Sequence, residues 1–268
     1  MGHTIDGPSE RADLCAYILT VETEESLRRQ HAEREMSALG IEREFVQGFR
    51  KTDPSLGEHY SEVMNLLLHK RSLTAGEIAV YAGHRRIWRR IVESGRTCAL
   101  VLEDDFRVLD RDLFLRSIDD LMAHPGDWDL VKFFDYKPKS VVASVRIGST
   151  TAVAHKYPAS GAVAYLIGAD AARALLQRKR IFRAVDEDFS HPWEFSIRVW
   201  STQPNTVAEA SDALGGSILA EDRQAVRRNR KILRSLWGNV LQGTKLARSL
   251  LYRHGLRAGR RSLTHRPL

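Results

Sequence analysis

Leu14 to Thr20 forms an apolar run of strand length, set after thirteen polar, non-periodic residues that read as a loose lead-in. Beyond it, Leu27, Met36 and Leu39 recur among many charges between Glu22 and Leu39, the pattern of a mostly solvated helix. Gly40 follows as a C-terminal cap would, and Arg43 to Phe49 carries Phe45 among alternating neighbours, which predicts a second strand and hence a βαβ opening. Lys51 to Lys70 is polar and interrupted by Pro54 and Gly57, with room for a short helix over Val63 to Leu68.

The pattern then sharpens. Thr74 stands three residues before Glu77, the spacing of a capping box, and Ile78, Tyr81, Ile87, Trp88, Ile91 and Val92 make a helical stripe up to Gly95. Cys98 to Leu102 reads as a buried strand, halted by Glu103-Asp104-Asp105. Downstream, Leu113 to Met122 reads as a helix, Trp128 to Phe134 and Gly161 to Ile167 as strands, and Ala169 to Leu176 as an Ala-rich helix. This alternation predicts one α/β domain with a mostly parallel central sheet. Lys137 to Pro158, rich in Ser, Thr and Val, is expected to be a long loop or irregular hairpin, placed as such segments often are over a site.

Composition narrows the class. An apolar content of 43% over 268 residues offsets chain entropy and excludes wholesale disorder. Cys15 and Cys98 are too few for a disulfide scaffold and sit in apolar runs, as buried thiols in a reducing compartment do. No run approaches the ~18 uncharged apolar residues of a spanning helix, and the opening residues lack a basic-then-apolar signal. Neither membrane spanning nor secretion by that route is expected.

Charge divides the chain. Of the 41 Lys and Arg, 13 fall in residues 223–268, which hold no Asp or Glu, so the remaining 28 face all 34 acids and the body is −6 against a tail of +13. We therefore expect a catalytic domain over 14–222 and a basic amphipathic helical tail over 223–268. Ile232, Leu233, Leu236, Trp237, Val240 and Leu241, continued by Leu246, Leu250 and Leu251, form its apolar stripe. A basic helix of this kind suits an anionic membrane surface, or packs its stripe on the domain and trails a solvated Arg-rich end.

The acid triplet is the chemically loudest feature. In open α/β sheets ligands bind beyond the carboxyl ends of strands, and strand alternation would put Glu103 and Asp105 on one side with Asp104 on the other. Two converging carboxylates hold a hard divalent cation and leave positions for phosphate oxygens; equally, three acids after a strand start a loop or cap the next helix. His84 lies seven residues after Glu77, nearly on the same helix face, where it orients a ligand or serves as a hydrogen-bonded core histidine. Arg28 and Arg29 fit a phosphate contact or a solvated helix face equally well.

Leu73-Thr74-Ala75-Gly76-Glu77-Ile78-Ala79, then His84 and Trp88, then Ala99 to Asp105 resemble the signature of glycosyltransferase family 25, the lipopolysaccharide or lipooligosaccharide core glycosyltransferases related to collagen galactosyltransferases. Tyr17-Ile18-Leu19, Trp128 to Val131, Ala164 to Ile167 and Val185-Asp186 follow in the family's order, over roughly residues 14–220. The chain departs from the pattern where Gly83, not Ser, precedes His84, and at Leu19-Thr20-Val21-Glu22 in the opening loop.

The resemblance implies a GT-A-like nucleotide-sugar-binding fold, a nucleoside-diphosphate sugar donor, usually UDP-galactose, and inverting transfer to a lipid-linked oligosaccharide acceptor. It implies a divalent metal, Mn²⁺ by analogy or Mg²⁺, held by Asp105 and Glu103 against the leaving diphosphate. Asp104, Glu77 and His84 become donor-binding residues. Asp186 is the first choice for the base and Asp188 the second; alternatively, Asp186 caps a helix around Trp193. Trp193 fits a sugar platform or the core. The implied location is cytoplasmic, peripheral on the inner membrane. Two competing readings remain: a nucleic-acid or anionic-surface binder acting through the tail, and a metal-dependent nucleotidyltransferase or hydrolase using the same acids.

Overall fold

A computed structural model describes residues 13–138, 140–156, 159–216 and 232–263, with the side chains of 232–236 and 253–263 excepted; most of the predicted lead-in and the expected boundary at 222/223 lie outside the described residues. The chain opens as predicted, with strand β1 (Cys15–Thr20), helix α1 (Leu27–Leu39) and strand β2 (Glu42–Gln47). α1 starts later than expected because Ser26 caps it, accepting from the Arg29 N–H, and it stops at Gly40, whose φ of 66° is the left-handed cap conformation. Two short helices, α2 (Leu56–His59) and α3 (Glu62–Leu68), lead to α4 (Ala75–Ser94), which carries the predicted Thr74–Glu77 capping box in full.

β3 (Cys98–Glu103) and the short β4 (Phe106–Val108) precede α5 (Arg111–Ala123) and β5 (Leu130–Lys132). The segment expected to be a loop or irregular hairpin is an antiparallel hairpin of β6 (Val141–Ile147) and β7 (Thr150–His155), with a register shift between Val141 and Ala143. β8 (Ala164–Gly168), α6 (Ala169–Leu176), α7 (Val185–Phe189), β9 (Val199–Thr202) and β10 (Val207–Glu209) complete the domain, and α8 (Ile232–Leu263) follows. β4, β9, β10 and α7 are too short for hydrophobic periodicity to declare them.

The large sheet runs β2-β1-β3-β8-β5-β9-β7-β6. β2, β1 and β3 are parallel, as are β5 and β9, but β8 lies antiparallel between β3 and β5, and β7 is antiparallel to β9 and β6. The sheet is therefore mixed rather than mostly parallel as expected, since β8 enters it from the β6–β7 side instead of through a helical crossover from β3.

Alternation sorts the strand residues onto two cores. Tyr17, Leu19, Val101 and Tyr165 face α4 and α6, whereas Ala16, Ile18, Leu100 and Leu166 face α1 and α5. Cys15 and Cys98 are buried and unpaired, as the sequence predicted. Among the described residues, no helix is long and apolar enough to cross a membrane.

One face of α8 packs on the domain: Trp237 Nε1 donates to Leu67 O at 2.8 Å and Tyr252 Oη donates to Ile197 O at 2.9 Å. Trp237, Val240, Leu250 and Leu251 nonetheless remain exposed.

Candidate active site

The carboxyl ends of β1 and β3 lie side by side, Leu19 paired with Glu103 in the parallel register. Beyond them opens a cleft of about 530 Å³ lined by Glu77, Glu103, Asp104, Asp105 and Asp186, among others. This is where a ligand site is expected in such a sheet, and the volume suits a nucleotide-sized molecule.

Strand alternation does not govern the triplet. β3 ends at Glu103, and Asp104 and Asp105 form a turn before β4, so both aspartates reach the same guanidinium. Arg28 Nη1 donates to Asp104 Oδ1 at 2.9 Å and to Asp105 Oδ2 at 3.1 Å, and Nη2 donates to Gly216 O at 3.0 Å. Thr20 Oγ1 donates to Asp104 Oδ2 at 2.7 Å. Asp104 thereby has both oxygens engaged, whereas Asp105 Oδ1 is buried without a hydrogen-bond partner.

Burial, and next the Glu103 charge, push the Asp105 carboxyl up to about 7 despite Arg28. Burial also raises Asp104, opposed by Thr20 and Arg28. The site is short of positive charge. Among the described residues, no group of three or more His, Cys, Asp or Glu forms a ready-made metal cage. Asp105 Oδ1 and the partly exposed Glu103 are the oxygen donors that would hold a divalent cation, and its charge would relieve the repulsion that raises Asp105.

His84 is wholly buried and does not line the cleft, contrary to its expected part in donor binding. One ring nitrogen is 2.8 Å from Tyr165 Oη and the other 3.3 Å from Glu103 Oε1, so it touches the site only through Glu103. Trp88 Nε1 donates to the same Tyr165 hydroxyl at 2.9 Å, fixing the relay.

Glu77 lies in the cleft wall, yet its oxygens accept from Arg71 Nη1 and Nη2, each at 2.7 Å, and from Thr74 N. Its carboxylate is thus engaged by the helix cap and Arg71.

The second acid cluster splits three ways. Asp186 faces the cleft and accepts from Gly161 N at 3.3 Å; it sits inside the first turn of α7, whose N-cap is Ala184, and the helical turn Pro192–Glu194 around Trp193 has His191 as its N-cap, so Asp186 caps neither. Asp188 points to the opposite side, fully buried, hydrogen-bonded by Tyr81 Oη and 2.7 Å from Arg178 Nε. That position withdraws it as an alternative base, because no substrate hydroxyl reaches it. Trp193 lies near His191 and Tyr252, their ring centroids 5.2 and 6.2 Å from its own, away from the cleft.

Sequence reasoning left Arg28 undecided and missed the buried Lys132–Asp135 pair near the site. Lys132 Nζ donates to Asp135 Oδ1 at 2.5 Å and to Ala159 O at 2.8 Å, tying together the two segments that present Phe134, Tyr136, Ser160 and Gly161 to the cleft. A lysine inside an apolar strand followed three residues later by Asp was the available signal.

Acids closing a strand beside a cleft at the carboxyl end of the sheet mark the place where open α/β proteins hold their ligands. The family model described as "Glycosyltransferase family 25 (LPS biosynthesis protein)" matches residues 16–189, and the chain belongs to that family.

Among curated relatives, a glycosyltransferase 25 family member of Aedes aegypti is 31% identical over 131 residues, 48% of this chain and 21% of that protein. Procollagen galactosyltransferase 1 of Danio rerio is 39% identical over 67 residues, 24% of this chain and 11% of that one. A mouse relative, 27% identical over 50% of this chain and 22% of its own length, is named inactive glycosyltransferase 25 family member 3. The chain thus matches only about a fifth of the length of the Aedes relative.

Proposed function

We propose that the cleft transfers a sugar, galactose first, from a UDP-sugar to a hydroxyl of a lipopolysaccharide or lipooligosaccharide core acceptor, with inversion at the anomeric carbon. The carrying observation is the unpartnered, buried Oδ1 of Asp105, a residue that lines the same cleft as Asp186. Family membership supports the reaction class, the family's association with LPS biosynthesis supports the acceptor, and the Danio relative's name supports galactose. The parallel β2-β1-β3 opening with acids closing β3 supports a GT-A-type arrangement.

Glu103 and Asp105 would hold Mn²⁺ or Mg²⁺, which when bound supplies charge to the departing diphosphate. Asp104, fixed by Thr20 and Arg28, keeps the turn rigid at the donor's edge. Asp186, reaching the cleft from α7 and steadied by Gly161 N, takes the proton of the acceptor hydroxyl at its carboxylate. The buried Arg28 orients both aspartates.

The same reading proposes a cytoplasmic location, peripheral on the inner membrane. Trp237 of α8 lies exposed against Leu67 of α3, Val240, Val63 and Leu66 are exposed on the same two helices, and the basic residues of 223–268 add attraction of about 1 kcal/mol each near anionic lipid.

The test is sugar transfer. Wild-type protein with UDP-galactose, Mn²⁺ and a core oligosaccharide should give a β-linked product, and Asp105→Ala should give none. Release of free sugar or pyrophosphate without glycosylated acceptor overturns the reading.

A further inference from the structure

A second cavity of about 370 Å³ lies between α3, the segment around α7 and α8, and shares no lining residue with the cleft. α7 is the wall between them, with Asp186 on the cleft and Glu187 on this cavity. α8 closes it at short range: a Cβ built on Gly238 would stand 3.0 Å from Lys70 Cβ, so glycine permits the approach.

The lining joins two chemistries. Phe182, Trp193 and Leu241 provide apolar surface. Among the described lining residues, Lys70, Arg178, Arg183, Lys245 and Arg248 outnumber the two carboxylates, Glu187 and Glu194, although Asp188, outside the lining, also pairs with Arg178 and Arg183. Both carboxylates are already engaged, Glu187 by His69, and Glu194 by Arg178 Nη2 at 2.6 Å and Arg183 Nη2 at 3.0 Å.

Arg183 is 4% exposed, and its Nη1 is buried with no hydrogen-bond partner. A buried guanidinium nitrogen left unmatched costs free energy that an incoming oxyanion recovers. The field agrees: burial, then Lys245 and Arg183, bring His191 down to about 3, and burial with Arg183 and Lys70 lowers Lys245 despite Glu187.

We propose that this cavity binds a phosphate-bearing amphiphile, its phosphate held by Arg183, Lys245 and Arg248 and its apolar arm lying against Phe182, Trp193 and Leu241. The site is discrete and saturable, distinct from attraction of the tail to a charged membrane surface, and does not depend on the sugar-transfer reading.

Calorimetric titration of the full chain tests it. The probes are dihexanoyl phosphatidic acid below its micelle concentration, dihexanoyl phosphatidylcholine and inorganic phosphate. We expect one-to-one binding of the phosphatidic acid, at least tenfold weaker in Lys245→Gln/Arg248→Gln and in Arg248→Glu alone, where the altered side chain is exposed and folding is undisturbed. Asp105→Asn should leave this affinity unchanged even if it ends transfer. Inorganic phosphate bound as tightly as phosphatidic acid overturns the apolar arm and leaves a simple phosphate site. Equal binding of phosphatidylcholine, affinity unaltered in both variants, or no saturable binding overturns the proposal.

Discussion

Arg28 holds Asp105 by one oxygen only: its Nη1 lies 3.1 Å from Oδ2, while Oδ1 of the same carboxylate is buried and unpartnered. The guanidinium also serves Asp104 at 2.9 Å, so one positive charge is divided between two buried aspartates with Glu103 next in sequence. Such a site is stable only while the negative charge is limited or a further cation arrives.

Removing Arg28 should therefore damage the fold before the chemistry. Arg28→Ala leaves two buried carboxylates uncompensated, and breaking a buried pair costs about 3–5 kcal/mol. Urea denaturation should show a lower midpoint, with Mn²⁺ restoring part of the loss. An unchanged midpoint would mean that water already carries these charges.

The Asp105 carboxyl sets a pH dependence whose sign is fixed. Its folded value, about 7, lies above the ordinary carboxylate value of about 3.9, so the folded state binds the extra proton between them. Its contribution to stability is accordingly lost as pH rises from about 4 to about 7. The stability difference between Asp105→Asn and wild type should grow in favour of the variant across that window, without metal. Thermal melts at pH 4.5 and 7.5 measure it, and parallel curves would refute the assignment.

Asp186→Asn should lower the transfer rate while leaving donor affinity nearly intact, since the group acts on the acceptor proton. General-base contributions are typically about 10²–10⁴-fold. Comparing kcat with the dissociation constant for UDP-sugar separates the roles; lost donor affinity with normal turnover would make Asp186 a donor contact.

Asp188→Ala should fail differently. It removes one of the two carboxylates that Arg178 and Arg183 share, leaving them Glu194 alone, and takes away the partner of Tyr81, so the expected loss is about 3 kcal/mol of stability. Tyr81→Phe should cost less, about 1–3 kcal/mol, by leaving one carboxylate oxygen short of a donor. Folded, inactive Asp188→Ala protein would return Asp188 to the catalytic list.

Local pattern was informative where the code is local. The Thr74–Glu77 cap, the α4 stripe and the Cys98–Leu102 run all appear where periodicity and capping placed them, because each depends on neighbours within a turn or on alternation. The antiparallel insertion of β8 between β3 and β5 was not legible, since five-residue strands carry no sign of their direction. Nor were β9 and β10, whose pairing is set by partners distant in the chain.

By itself the sequence determined that acids close a buried strand, that a capped helix precedes it and that a basic segment follows an acidic body, all properties of residue order. Only the tertiary structure decided which acid does what. Asp186, Glu187 and Asp188 are consecutive, yet one helical turn sends them to the cleft, the second cavity and the core. Arg28 meets Asp104 and Asp105 from 76 and 77 residues away. A side chain's charge belongs to its residue, but burial and the opposing charge that tune it come from segments that only folding brings together.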